Sequence, residues 1–187
     1  MHSDETAGTV RADAEHSLET RLAAILHPQR DPETAVSELI RIRKAVAADA
    51  PDLLDLAREM HRNSTYKWLD FDDGKVLRMY STLAQTGYLR VAVVQGKIAG
   101  AMAAYMTEYF FGKDKLAQEL GLYVRQERRG GMAAIKLVRD MVKWAYTEGA
   151  KEIVAGTTAV LDPRIALIYT RVGFKGAGDL LKMRVGG

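Results

Sequence analysis

The stretch from Leu120 to Ala145 constrains the fold more than any other part of the chain. Leu120, Leu122 and Val124 alternate as the apolar positions of a half-buried strand do. The run Arg128-Arg129-Gly130-Gly131 then interrupts any strand. After it, Ala134, Leu137, Val138, Met141, Val142 and Ala145 recur at helical spacing, and Gly149 stands where a helix C′ residue belongs. The pattern predicts strand, tight basic turn, helix. The glycines let the backbone turn sharply and approach a ligand closely. The first amides of the helix point back into the turn, with the positive end of the helix dipole behind them. Together with two arginines they form a cradle for a pyrophosphate-like anion. An ordinary strand–helix connection with solvated arginines reads equally well from the turn alone. The spacing is neither the dinucleotide-binding glycine pattern nor the P-loop.

Composition narrows the function classes. The chain has 187 residues, enough for one domain with a full core. With no cysteine, it offers no disulfide framework, thiolate zinc site or cysteine nucleophile. The four histidines, His2, His16, His27 and His61, are scattered and predict no metal site. No apolar run is long enough for a membrane helix, and the acidic, polar N-terminus does not suit a signal peptide. These features fit a cytoplasmic protein without membrane contact. Residues 1–37 carry three Arg against seven Asp and Glu, a balance of −4. The remainder carries +7, which suits a polyanionic cofactor and is compatible with nucleic acid.

A second segment, Asp162 to Phe174, turns the first into a family signature. Arg128-Arg129-Gly130-Gly131-Met132-Ala133 resembles motif A of the GNAT superfamily of N-acetyltransferases, Arg/Gln-x-x-Gly-x-Gly/Ala. A second register starts at Arg129 and puts Met132 and Ala134 at the small-residue positions. Both registers stay open. Tyr169, Gly173 and Phe174 match motif B, whereas Asp162 replaces its usual Asn and Ile165 its usual Ala. Asp162 also reads as an N-cap and Pro163 as the first helical residue. The resemblance covers roughly residues 38–187.

Along the chain, residues 1–37 read as an N-terminal arm, with a short amphipathic helix over residues 15–26 and breaks at Pro28 and Pro32. Its apolar stripe packs either on the domain or on a second copy in a homodimer. Strands are expected at Leu39–Val46, Tyr88–Gln95, Lys97–Met106, Lys115–Val124, Glu152–Thr157 and Leu180–Val185. Helices are expected from about Asp52 to His61, from Gly74 to Ala84, and after each of the two motifs. The fold class is mixed α/β, a mostly antiparallel sheet with helices on both faces. The resemblance adds that the fourth and fifth strands splay, with the pantetheine arm of acetyl-CoA between them, paired near Leu122, Tyr123 and Val124.

The resemblance implies acetyl transfer from acetyl-CoA to an amine, without a metal. Tyr169 would be the general acid, by its match to the motif B tyrosine. Glu119 is the candidate base, with Glu108 or a water chain as rivals. Cofactor contacts fall on Leu122 to Val124, on Arg128, Arg129, Gly130, Gly131, Met132, Ala133 and Ala134, and on Asp162. The acceptor would meet the Asn63–Gly74 connection. There Tyr66, Trp68 and Phe71 offer an apolar wall, and Asp70, Asp72 and Asp73 offer charge for a cationic amine. Those aromatics read equally as local core, and those acids as helix caps. His61 reads as a solvated helix-end residue. Two rivals remain: a GNAT-like module that holds CoA without catalysis, and an acetyltransferase acting on protein or on amino-modified nucleic acid.

Overall fold

The computed structural model describes residues 40–156, 162, 164–178, 180, 182 and 183. The expected N-terminal arm lies outside them. So do Pro163, Thr157 and, of the expected closing strand, Leu181, Arg184 and Val185. Leu180, Lys182 and Met183 carry no regular structure.

The elements follow the predicted order: β1 (Arg41–Lys44), α1 (Ala50–Arg62), α2 (Asp73–Thr86), β2 (Tyr88–Val94), β3 (Lys97–Glu108), β4 (Lys115–Val124), α3 (Ala133–Thr147), β5 (Glu152–Val154) and α4 (Arg164–Val172). The strands pair in sequence order, antiparallel except for the parallel β4–β5 pair. This is the mixed sheet that the pattern predicts.

Two cores form because each strand sends alternate side chains to opposite faces. Leu89, Val91 and Val93 of β2 meet Leu53 and Leu56 of α1 and Leu83 of α2 on one face. Tyr88 and Ala92 meet Leu137, Val138 and Met141 of α3 and Tyr169 of α4 on the other. Leu122 and Val124 join this second core, whereas Tyr123 belongs to the first. Among the described residues no helix is long and apolar enough to cross a membrane.

Just before α1, the buried carboxylate of Asp49 accepts both Arg43 guanidinium nitrogens, at 2.6 and 2.8 Å, and the Val46 amide at 2.9 Å. This clamp fixes β1 to the start of α1.

Helices α3 and α4 end in the same way. Gly149 and Gly173 sit at φ +81° and +110°, where a Cβ would be strained. Ala150 and Phe174, the next residues, donate their amides back to Ala145 and Tyr169 at 2.9 and 3.1 Å. Both are Schellman closures. At the end of α4 the usual apolar contact is Phe174 against the Tyr169 ring, with centroids 5.2 Å apart. The Tyr-x-x-x-Gly-Phe spacing is therefore a helix ending that fixes its own tyrosine.

Candidate active site

β4 and β5 pair only from Leu116↔Glu152 to Gln118↔Val154. Beyond that point β4 runs on to Val124 with no β5 partner among the described residues. Glu119 stands at the fork, where its Oε2 accepts the Gly156 amide at 2.9 Å. The β3–β4 register shifts at the same place, between the pairs Ala104↔Glu119 and Ala103↔Gly121, which leaves Leu120 as the extra residue. A bulge bends the strand and sharpens its twist, and this one falls where the pairing with β5 ends.

Tyr169 meets Glu119 at this fork. Its buried hydroxyl lacks a well-formed hydrogen bond but interacts with the Glu119 carboxylate. Burial and that negative charge push the phenol's pKa upward. Burial likewise raises Glu119 above the ordinary carboxylate value of 4.5, opposed by the Gly156 amide and the Tyr169 hydroxyl. Glu108, the rival base, is exposed at the hairpin end of β3, opposite Lys115.

The basic turn lies at the far end of the open edge. Gly130 takes φ +82°, which the reversal into α3 requires. The N-cap position of α3 is Met132, whose side chain has no oxygen to offer, and the first helical bond is Lys136 N–H to the Met132 carbonyl at 2.9 Å. The first amides of α3, from Ala133 onward, therefore remain available as anion donors. Arg129 folds back on the sheet. Its Nε–H donates to the Val124 carbonyl at 3.0 Å, and its guanidinium lies 5.1 Å from the Tyr123 ring centroid. The Arg125 amide bonds Ala99 of β3 at 2.9 Å, so the neighbouring Val124 groups face the open edge. Asp162 commits its side chain to α4: it accepts the Arg164 amide at 3.0 Å and pairs with the Arg164 guanidinium at 2.9 Å. Arg164, with Arg129 further off, holds its carboxyl below the usual range.

The α1–α2 connection differs from an open acceptor wall. Asp72 caps α2 by accepting the Lys75 amide at 2.9 Å, and Asp73 pairs with Arg58. These two acids are structural, while Asp70 and Trp68 are exposed. Phe71 packs on the His61 ring at 5.1 Å, and His61 Nε2 is buried without a partner. His61 is thus solvated only in part: an aromatic ten residues later in the chain packs against its ring. Lys182 sits 4.3 Å from the Tyr66 ring centroid and bonds its hydroxyl at 2.9 Å. No local pattern signals a contact across so much intervening chain.

One cluster escaped the sequence reading. The Tyr123 hydroxyl donates to Glu59 of α1 at 3.0 Å and accepts from Asn63 at 3.1 Å, and Arg125 bonds the same glutamate at 3.4 Å. It braces the open half of β4 against α1. Among the described residues no group of His, Asp and Glu is arranged to hold a metal ion.

A sequence model described as the acetyltransferase (GNAT) family matches residues 50–174. No curated protein sequence matches the chain. Solved structures with the same fold include an acetyltransferase of Trypanosoma brucei, 15% identical with a TM-score of 0.61, covering 78% of this chain and 99% of that one. A predicted acetyltransferase from Clostridium acetobutylicum with acetyl-CoA is 15% identical with a TM-score of 0.62, covering 78% and 96%. The aminoglycoside N-acetyltransferase AAC(6')-Iy in complex with CoA is 18% identical with a TM-score of 0.60, covering 78% and 94%.

Proposed function

We propose a reaction from one premise: this chain belongs to the GNAT family of acetyltransferases. It transfers an acetyl group from acetyl-CoA directly to an amine. The observation that carries this reading is the Glu119–Tyr169 pair at the fork of β4 and β5. The uncapped start of α3 lies beyond the same open edge.

Three needs of the chemistry find residues. Glu119 takes the proton that the attacking amine must lose, directly or through water. A backbone N–H of β4 near Val124 stabilises the oxyanion that develops on the thioester carbonyl. As the carbon–sulfur bond breaks, Tyr169 gives its proton to the departing sulfur. The two roles are linked. A proton arriving on Glu119 removes the charge that helps hold the phenol's pKa up, so the acid strengthens at the step that uses it. Amides from Gly131 to Ala134 hold the pyrophosphate, with Arg128 and Arg129 supplying charge. Trp68 and Asp70, both exposed, remain the acceptor-side candidates.

Thiol release from acetyl-CoA over a panel of amines tests the reaction. Tight CoA binding without release for any amine would favour a binding module instead. Arg128→Glu and Arg129→Glu test the cradle by calorimetry. Loss of a charge-assisted contact is worth about 1.5–3 kcal/mol, roughly 10- to 100-fold in affinity. The larger loss marks the register that holds the anion. Unchanged affinity in both folded variants would remove the arginines from the site.

Glu119 sets a pH signature. Because its pKa is raised in the folded protein, the ascending limb of kcat/KM should lie above 4.5. Glu119→Gln should abolish that limb. Stability has its own sign: the folded state holds this proton more tightly, so the wild type loses stability as pH rises from the unfolded carboxylate value through the raised folded one. Glu119→Gln should not show that loss. A wild-type pH–rate profile in the Gln variant would exclude Glu119 as the base.

A further inference from the structure

An apolar pocket lies beneath the bulge, on the α1–α2 face of the sheet, and the reaction above assigns it no role. Leu120 and Gly121, the two residues after Glu119, form one wall, while Met60 of α1 and Met79 and Tyr80 of α2 form the opposite side. The pocket is partly open to solvent, its volume is about 50 Å³, and no charged side chain lines it among the described residues. Tyr80 has its phenol pushed up to about 12 by burial alone, which marks a water-poor wall. Tyr123 contributes its ring, its hydroxyl already being committed to Glu59 and Asn63.

We infer that this pocket receives the aliphatic chain of a short acyl-CoA, with room for about two carbons beyond acetyl. The inference rests on the proposed acyl transfer and specifies its donor. Three observations carry it. Leu120 and Gly121 of the pocket wall follow Glu119 directly along β4, so the pocket begins one residue beyond the fork. The lining contains no carboxylate, so a protonated amine would be desolvated there without a counter-ion. An apolar cavity of about 150 Å³ accommodates a six-carbon ring, which scales to about two carbons in 50 Å³. Two of the lining side chains are methionines, whose unbranched thioethers adjust to irregular contents.

Gly121 is the wall position where bulk can be added against Met60. A Cβ built there meets only Met60 Sδ and Cε, at 3.6 and 3.8 Å, ordinary contact distances. Gly121→Ala should therefore fold normally while reducing the pocket's volume.

Unreactive S-alkyl thioethers of CoA test the inference by calorimetry on the full chain. With two more methylenes buried than S-ethyl-CoA, S-butyl-CoA should bind about tenfold tighter. S-octyl-CoA should lose that gain. Gly121→Ala should erase the preference for butyl without changing the affinity for CoA itself. Met79→Ala should move the optimum to longer chains. CoA binding with equal affinity for every chain length overturns the inference and leaves the proposed function standing. So does a result in which apolar amines, but not acyl chains, are sensitive to Gly121→Ala. Failure of CoA and all thioethers to bind overturns both.

Discussion

Tyr169→Phe should lower the turnover rate by about 10²-fold or more, with little change in acetyl-CoA affinity. The ring stays, and with it the contact to Phe174 and the backbone bond that closes α4. Only the hydroxyl goes. The hydroxyl is buried and its interaction with Glu119 falls short of a well-formed hydrogen bond, so relief of a desolvated group offsets the loss of that contact. The thermal midpoint of the Phe variant should therefore stay close to that of the wild type. The two readouts separate roles that a single assay confuses: a packing tyrosine predicts full turnover, whereas a damaged site predicts lost stability or lost cofactor affinity. Single-turnover kinetics with a productive amine, with transfer shown to limit the rate, gives the decisive measurement. Wild-type turnover there would leave Tyr169 as a packing residue.

Asp49→Ala should have the largest effect on stability. The carboxylate is 6% exposed, and its partner Arg43 keeps 29% of its side-chain surface in water. Removing one member of a buried pair typically costs 3–5 kcal/mol, because the other charge is left unpaired. Partial exposure of Arg43 puts the expected loss near the lower end, about 3 kcal/mol, or roughly 6–12 °C in midpoint for a domain of this size. The Val46 amide loses its acceptor in the same variant. Asp49→Asn should lose less, since its amide oxygen can still accept that bond. The pH dependence has a definite sign. Arg43 lowers the Asp49 pKa in the folded state, so its contribution is present above the unfolded value of about 3.8 and disappears as pH falls through the lowered folded one. Urea melts at neutral and acid pH test this. A loss below about 1 kcal/mol would show that the pair is merely tolerated.

What the sequence discloses divides along a physical line. Strand and helix positions, the two closing glycines and the Tyr169–Phe174 pairing depend on neighbours within a few residues, and those patterns are legible. Glu119 beside Tyr169 was readable only through the resemblance, since fifty positions of chain separate the two. The end of the β4–β5 ladder, the bulge at Leu120 and the fold-back of Arg129 onto Val124 follow from how strands register across the sheet. No local pattern encodes that register. His61 illustrates the limit. Its polarity and helix-end position indicate solvation, but the loop that follows returns Phe71 to pack against its ring. Met60 and Tyr80 carry ordinary helical spacing, and their joint pocket arises only when α1 and α2 pack on the same face of the sheet.

The half of β4 that has no β5 partner among the described residues also bears on how this protein behaves in a crowded solution. Backbone donors and acceptors left without a neighbouring strand are an adhesive seam, able to accept a stray segment from another molecule. Most folds hide such a seam at a sheet's rim with charges or a proline. Here, among the described residues, Arg129 is latched over the Val124 carbonyl at its end. That guanidinium works as a stopper: it blunts the place where a foreign chain would begin to zip, yet it is a side chain and can step aside. Selectivity of entry and resistance to clumping thus reside in one movable group, and a change made there for one of them alters the other.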